Sequence, residues 1–277
     1  MRCPLRVKSL VAFALLAAAG VAGAMPIPAP PALAAKSYVL MDAESGQIIA
    51  ANEPNLRRAP ASLTKLMSTY VVFHALKDGV IKLDDPVTIS ERAWRMGGSR
   101  MFAKLGSKVS VDNLLQGMIV QSGNDATVAL AERVGGSEDA FVSLMNQYAD
   151  KLGLKDTHFV DASGDTDDPH HYSTARDLAA LSQAIMAEFP QYLHYFSEKD
   201  FLWNNIHQRN RNDLLFNDPT VDGLKTGHTD QAGFCLVATA KHGDMRLIAV
   251  VMGAKTEKAR ADFAATLLNY GSNFFET

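Results

Sequence analysis

Apolar and polar positions alternate in two short runs, SYVLMD and IIAAN, separated by Glu44, Ser45 and Gly46. Period-two alternation broken by a glycine-bearing turn predicts a β-hairpin. The pattern returns late in the chain, where GFCLVATA and MRLIAVVMGA flank Lys241, His242, Gly243 and Asp244. Between these hairpins the apolar spacing shifts towards 3.6. Residues 62–77 form a strongly apolar helical run closed by Asp78 and Gly79. VDNLLQGMIVQ, DATVALAERVGG, SEDAFVSLMNQYADKLGL and STARDLAALSQAIMAEF read as further helices, punctuated by glycine or proline. A last helix runs from 257 to about 270. Strands at both ends with helices between them predict an α/β (α+β) chain. Its sheet is largely antiparallel, flanked by helices, with a helical subdomain inserted.

The 277 residues are 47% hydrophobic and 21% charged, enough to bury a substantial core. A formal net charge of -3 and the lack of a polybasic run exclude a nucleic-acid groove. The first 24 residues stand apart: Arg2, Arg6 and Lys8 precede an apolar stretch that ends in Ala22, Gly23 and Ala24. That is the pattern of a secretory signal peptide cut after Ala24, its apolar stretch being shorter than the roughly 20 residues that span a bilayer. Residues 25–36 read as a proline-rich linker, which leaves 37–277 as the globular domain. Cys3 leaves with the signal, so Cys235 has no disulfide partner and reads as a buried, inert thiol in an apolar strand.

The candidate chemistry lies in three short sequences: SLTK at Ser62 to Lys65, SGN at Ser122 to Asn124, and KTG at Lys225 to Gly227. Singly, each has a bland reading: a helix start, a turn with a helix cap, and a strand with a glycine turn. Together they compose a site for nucleophilic catalysis. Positions i and i+3 share a helix face, so Lys65 as a neutral amine can take the Ser62 proton. Keeping that amine neutral needs burial or a cationic neighbour, for which Lys225 is the candidate. Backbone N–H groups at the helix start and on the strand after KTG would form an oxyanion hole. Ser122 would return a proton to the leaving amine, and Asn124 would orient the acyl group or Lys65. The chemistry calls for no metal and no cofactor; Asp167, Asp168, His170 and His171 lack zinc spacing and read as a solvated loop. His74 reads as a core histidine.

The ordered set is the S-x-x-K, S-x-N, K-T-G pattern of penicillin-binding proteins and class A β-lactamases. Longer stretches, among them PASLTKLMSTYVV, QSGNDATVALAE, HYSTARDLA and VDGLKTGHTDQAGFCLVATA, resemble the low-molecular-mass D-alanyl-D-alanine carboxypeptidases of the penicillin-binding protein 5-like family. The resemblance implies a β-lactamase/transpeptidase-like fold with a five-stranded antiparallel sheet between helices. It implies removal of the terminal D-alanine from peptidoglycan stem peptides ending in D-Ala-D-Ala, acylation by β-lactam antibiotics, and export to the periplasm or cell envelope. It makes Ser62 the nucleophile, Lys65 the base, Ser122 and Asn124 the second motif, and Lys225 a substrate-binding lysine beside Thr226, Gly227 and His228. Arg260 is similar to an arginine near the substrate carboxylate; its bland reading is a solvated helix-face charge.

Three alternatives stand beside this reading: a transpeptidase, a β-lactamase and a non-catalytic muropeptide- or penicillin-binding domain. The glutamates between Asn124 and Lys225, Glu132, Glu138, Glu188 and Glu198, match no β-lactamase loop motif. Two features depart from the family. The chain ends at GSNFFET with no C-terminal β-rich domain or amphipathic membrane anchor in view, and Asp165 stands where similar sequences carry leucine, making the loop beside the site acidic.

Overall fold

The computed structural model describes residues 27–275; the expected signal peptide lies outside them. The N-terminal hairpin forms as β1 (Ser37–Asp42) and β2 (Ile48–Asn52). After it come α1 (Lys65–Lys77), β3 (Pro86–Thr88), α2 (Glu91–Trp94), β4 (Lys108–Ser110), α3 (Val111–Ile119), α4 (Asn124–Gly135) and α5 (Glu138–Lys151). Next are α6 (Ala175–Glu188), α7 (His194–Ser197), β5 (Asp200–Trp203), β6 (Ile206–Arg209) and α8 (Leu214–Asn217). The C-terminal part is β7 (Val221–Thr229), β8 (Gly233–His242), β9 (Met245–Ala254) and α9 (Glu257–Phe274).

Five strands form one antiparallel sheet in the order β2-β1-β9-β8-β7, so the N-terminal hairpin joins the C-terminal strands through β1 and β9. Strand alternation divides the core in two. Val39 and Met41 of β1, Cys235 and Val237 of β8, and Ile248, Val250 and Met252 of β9 face the helical layer that holds α1 and α6. Tyr38 and Leu40, Leu236 and Ala238, and Leu247, Ala249 and Val251 point the other way, onto Leu267 and Leu268 of α9. Both faces are covered, which is why these strands are nearly continuous apolar runs. Each fully buried Leu, Ile, Val or Phe contributes about 1.5–3 kcal/mol relative to exposure. Cys235 is completely buried in the core, as its context suggested.

Helix starts follow their side chains: Ser110, Ser137, Thr174 and Thr256 each accept a hydrogen bond from the backbone N–H three residues on. Three details differ from the periodicity. The segment read as a helix from 62 begins as a 3-10 turn, Ala61–Thr64, and becomes α-helical only at Lys65. The last helix runs one turn beyond 270, because Tyr270 still buries against the sheet. The short two-stranded sheets β3/β4 and β5/β6 are too brief to show a period.

Candidate active site

Ser62 lies half-buried in the 3-10 turn, directly after Ala61, whose φ of 50° is unusual for a residue with a side chain. Three residues per turn align positions i and i+3, so Lys65 stands over Ser62 and its Nζ reaches Ser62 Oγ at 3.0 Å. The same Nζ donates to Asn124 Oδ1 at 2.7 Å and to the Ser163 carbonyl at 2.8 Å. The carbonyl and amide oxygens can only accept. A neutral Lys65 therefore spends its two protons on them and leaves its lone pair for the Ser62 hydroxyl.

Lys65 is fully buried, and that burial pushes its pKa down to about 7. Asp161, Asp165 and Asp125 oppose the shift, whereas Arg211 assists it. Of the two means expected to keep the base neutral, burial or a cationic Lys225, burial is the larger. Lys225 is itself depressed well below the usual range by its own burial and then by Lys65, Arg211 and Arg260.

The other motif residues converge on one cavity of about 410 Å³, lined by Ser62, Ser122, Asn124, Thr226, Gly227, His228 and Arg260. Ser122 occupies the turn between α3 and α4 with a φ of 63° and is buried. Asn124 opens α4, and its Nδ2 donates to Gly97 O at 2.9 Å and to Asp165 Oδ2 at 3.0 Å. Lys225 is buried next to the cavity wall and donates to Thr226 O at 3.0 Å. Among the described residues β7 is a sheet edge, its outer backbone groups without a strand partner there.

Gly227 explains the glycine of the third motif. A Cβ there would lie 3.0 Å from Pro60 O and 3.2 Å from Ser62 N, so a larger residue would push β7 a few tenths of an ångström off the turn that holds Ser62. His228 is exposed and stacks on Phe234 at 4.0 Å between ring centroids.

Arg260 corrects its bland reading: it is buried, only 4% exposed, paired with Glu257 and positioned at the cavity wall. Burial lowers its pKa, but guanidinium remains charged in proteins. Arg211, which sequence reasoning missed, lines the same cavity. Its signal was faint, the second arginine of RNRN in a loop.

His171 also departs from expectation. Asp167, Asp168 and His170 are exposed, but His171 is 3% exposed. Its Nδ1 accepts from Val160 N at 3.1 Å, which leaves Nε2–H to donate to Thr64 Oγ1 at 2.8 Å. Thr64 in turn donates to Ala61 O at 2.8 Å, so the chain of hydrogen bonds braces the turn that presents Ser62. Burial holds His171 below the usual histidine pKa. His74 sits apart, between the rings of Tyr70, Tyr148 and Phe189.

A five-stranded antiparallel sheet with helices on both faces and a Ser-Lys pair against its edge strand defines a transpeptidase/β-lactamase-like protein. The chain belongs to the D-alanyl-D-alanine carboxypeptidase family, peptidase S11, whose model matches residues 25–256. The D-alanyl-D-alanine carboxypeptidase DacA of Escherichia coli (strain K12) is 48% identical over 91% of this chain, which spans 64% of that relative's length. Penicillin binding protein 5 of Haemophilus influenzae superposes with a TM-score of 0.86 at 49% identity, over 88% of this chain and 72% of that one. Penicillin-binding protein D2 of Listeria monocytogenes, solved in an ampicillin-bound form, matches with a TM-score of 0.81 at 30% identity, over 89% of this chain and all of its own.

Proposed function

We propose that the chain is a serine-type D-Ala-D-Ala carboxypeptidase, residues 37–277 forming its catalytic domain, that removes the terminal D-alanine from peptidoglycan stem peptides. The observation that carries this reading is the buried Lys65, whose Nζ has two acceptors besides Ser62 Oγ at 3.0 Å. Lys65 takes the hydroxyl proton, and Ser62 Oγ attacks the carbonyl of the penultimate D-alanine. The Ser62 N–H, together with an N–H from the outer edge of β7, receives the developing oxyanion. As the C–N bond breaks, Ser122 hands a proton to the departing amine and is reprotonated from Lys65. Water then attacks the ester, and its proton returns to Ser62 as the acid departs.

Arg260 and Arg211 supply positive charge for the substrate's terminal carboxylate, with Thr226, Gly227 and His228 forming that wall and Lys225 buried behind it. An extended peptide adds along the edge of β7 by backbone hydrogen bonds. The same Ser62 is acylated by β-lactams. The protein works in the periplasm or cell envelope, to which residues 1–24 direct it. Among the described residues no helix is long and apolar enough to cross a membrane.

The test is incubation of the purified chain with a peptide ending in Lys-D-Ala-D-Ala, followed by mass spectrometry. Loss of one alanine is expected. Folded protein that yields no product leaves the non-catalytic binding domain as the better reading.

A further inference from the structure

The peptidase chemistry above leaves an acidic cavity residue, Asp165, without a task. Asp165 lies on the loop between α5 and α6 and lines the same cavity as Ser62. Its Oδ2 accepts from Asn124 Nδ2 at 3.0 Å. Asn124 and Lys65 are the side chains linking it by hydrogen bonds to Ser62. Among the described residues no ion pair engages the Asp165 carboxylate, and no hydrogen bond reaches its Oδ1. The residue is exposed, so an incoming ligand can reach that oxygen.

The neighbouring cations are already committed. Lys65 is buried among three acceptors. Arg92 and Arg95 border a second depression that Asp165 also lines, and there Arg92 pairs with Glu138 at 2.5 Å and Arg95 with Glu91 at 2.5 Å. Arg211 and Arg260 lie with Thr226, Gly227 and His228, the wall assigned to the terminal carboxylate. The cavity thus has a cationic wall and, on the Asn124 side, an open carboxylate. A ligand that is negative at its C-terminus and positive on an upstream side chain matches both.

We propose that Asp165 is a specificity-determining residue that receives the free side-chain amine of a diamino residue preceding D-Ala-D-Ala. The domain then favours stems whose amine is free over stems whose amine has been acylated, as in a cross-link. This inference rests on the carboxypeptidase reading above.

The experiment compares two peptides, Nα-acetyl-Lys-D-Ala-D-Ala and its Nα,Nε-diacetyl counterpart, on wild type and Asp165→Asn. Rates are normalised to the fraction of protein that fluorescent penicillin can acylate. Asparagine keeps an oxygen to accept from Asn124, so it removes the charge and retains the hydrogen bond. Wild type is expected to favour the free amine by about two- to fivefold in kcat/KM, the ordinary worth of a partly exposed ion pair. The ratio should fall to near one in Asp165→Asn and should narrow for wild type in about 1 M salt, where the Debye length is near 3 Å. The wild-type and salt comparisons need no variant. Equal turnover of both peptides by wild type overturns the amine site alone. A fall in kcat common to both peptides in Asp165→Asn, with the ratio unchanged, also overturns it and assigns the carboxylate to water activation. If neither peptide loses alanine, the carboxypeptidase reading fails and the amine site falls with it.

Discussion

The acylation rate of this protein should report the protonation of one buried lysine. Burial takes Lys65 from 10.5 to about 7. At about 1.36 kcal/mol per unit, this corresponds to roughly 5 kcal/mol of extra cost for the charged amine over the neutral one. At about pH 7.5 most of the Lys65 population then carries a lone pair, whereas an ordinary lysine would be only about 0.1% neutral. Since only the neutral amine accepts the Ser62 proton, the second-order rate of acylation should climb about tenfold per pH unit below about pH 6 and level off above about pH 8. Stopped-flow measurement with a fluorescent penicillin gives this profile. Two substitutions check its origin. Arg211 lowers the Lys65 pKa and Asp165 raises it. Arg211→Gln should therefore move the midpoint to higher pH, and Asp165→Asn to lower pH. A flat profile between about pH 5.5 and 9, or a midpoint near that of free lysine, refutes the assignment of Lys65 as a base kept neutral by burial.

Ser62→Ala should abolish covalent labelling by penicillin, and Lys65→Ala should slow it by several orders of magnitude, because nucleophile and base act as a unit; intact-mass spectrometry reads both. Gly164→Ala should destabilise the domain and slow acylation. Its φ is +79°, a Cβ would lie 1.9 Å from Ala61 O, and the backbone conformation alone costs about 1–3 kcal/mol; urea unfolding measures the loss. His171→Leu leaves Val160 N–H without its partner and should cost about 1–3 kcal/mol while slowing acylation through the loosened turn. The folded pKa of His171 lies below its ordinary 6.5, so its stabilising effect is complete above that value and is lost as pH falls through 6.5 towards the folded pKa. Unfolding curves across that window should be less pH-dependent in His171→Leu than in wild type.

Local pattern carried much of this molecule. The alternation in SYVLMD and MRLIAVVMGA set which residues face each side of the sheet, since successive strand residues point oppositely whatever lies beyond them. The spacing of Ser62 and Lys65, and the order of the three motifs, made the chemistry legible because neighbours on a helix are neighbours in sequence. The protonation of Lys65 was not legible in the same way. It depends on how deeply the tertiary structure buries the amine and on Asn124, Ser163 and Arg211, which come from distant parts of the chain. For the same reason the two readings of Arg260, a carboxylate-binding arginine or a solvated helix-face charge, stayed open until α9 packed it against the sheet, and His171 looked like a solvated loop residue until Thr64 and Val160 met its two nitrogens. Periodicity is a short-range property of the backbone, whereas burial and electrostatic environment are created only when remote segments close around a side chain.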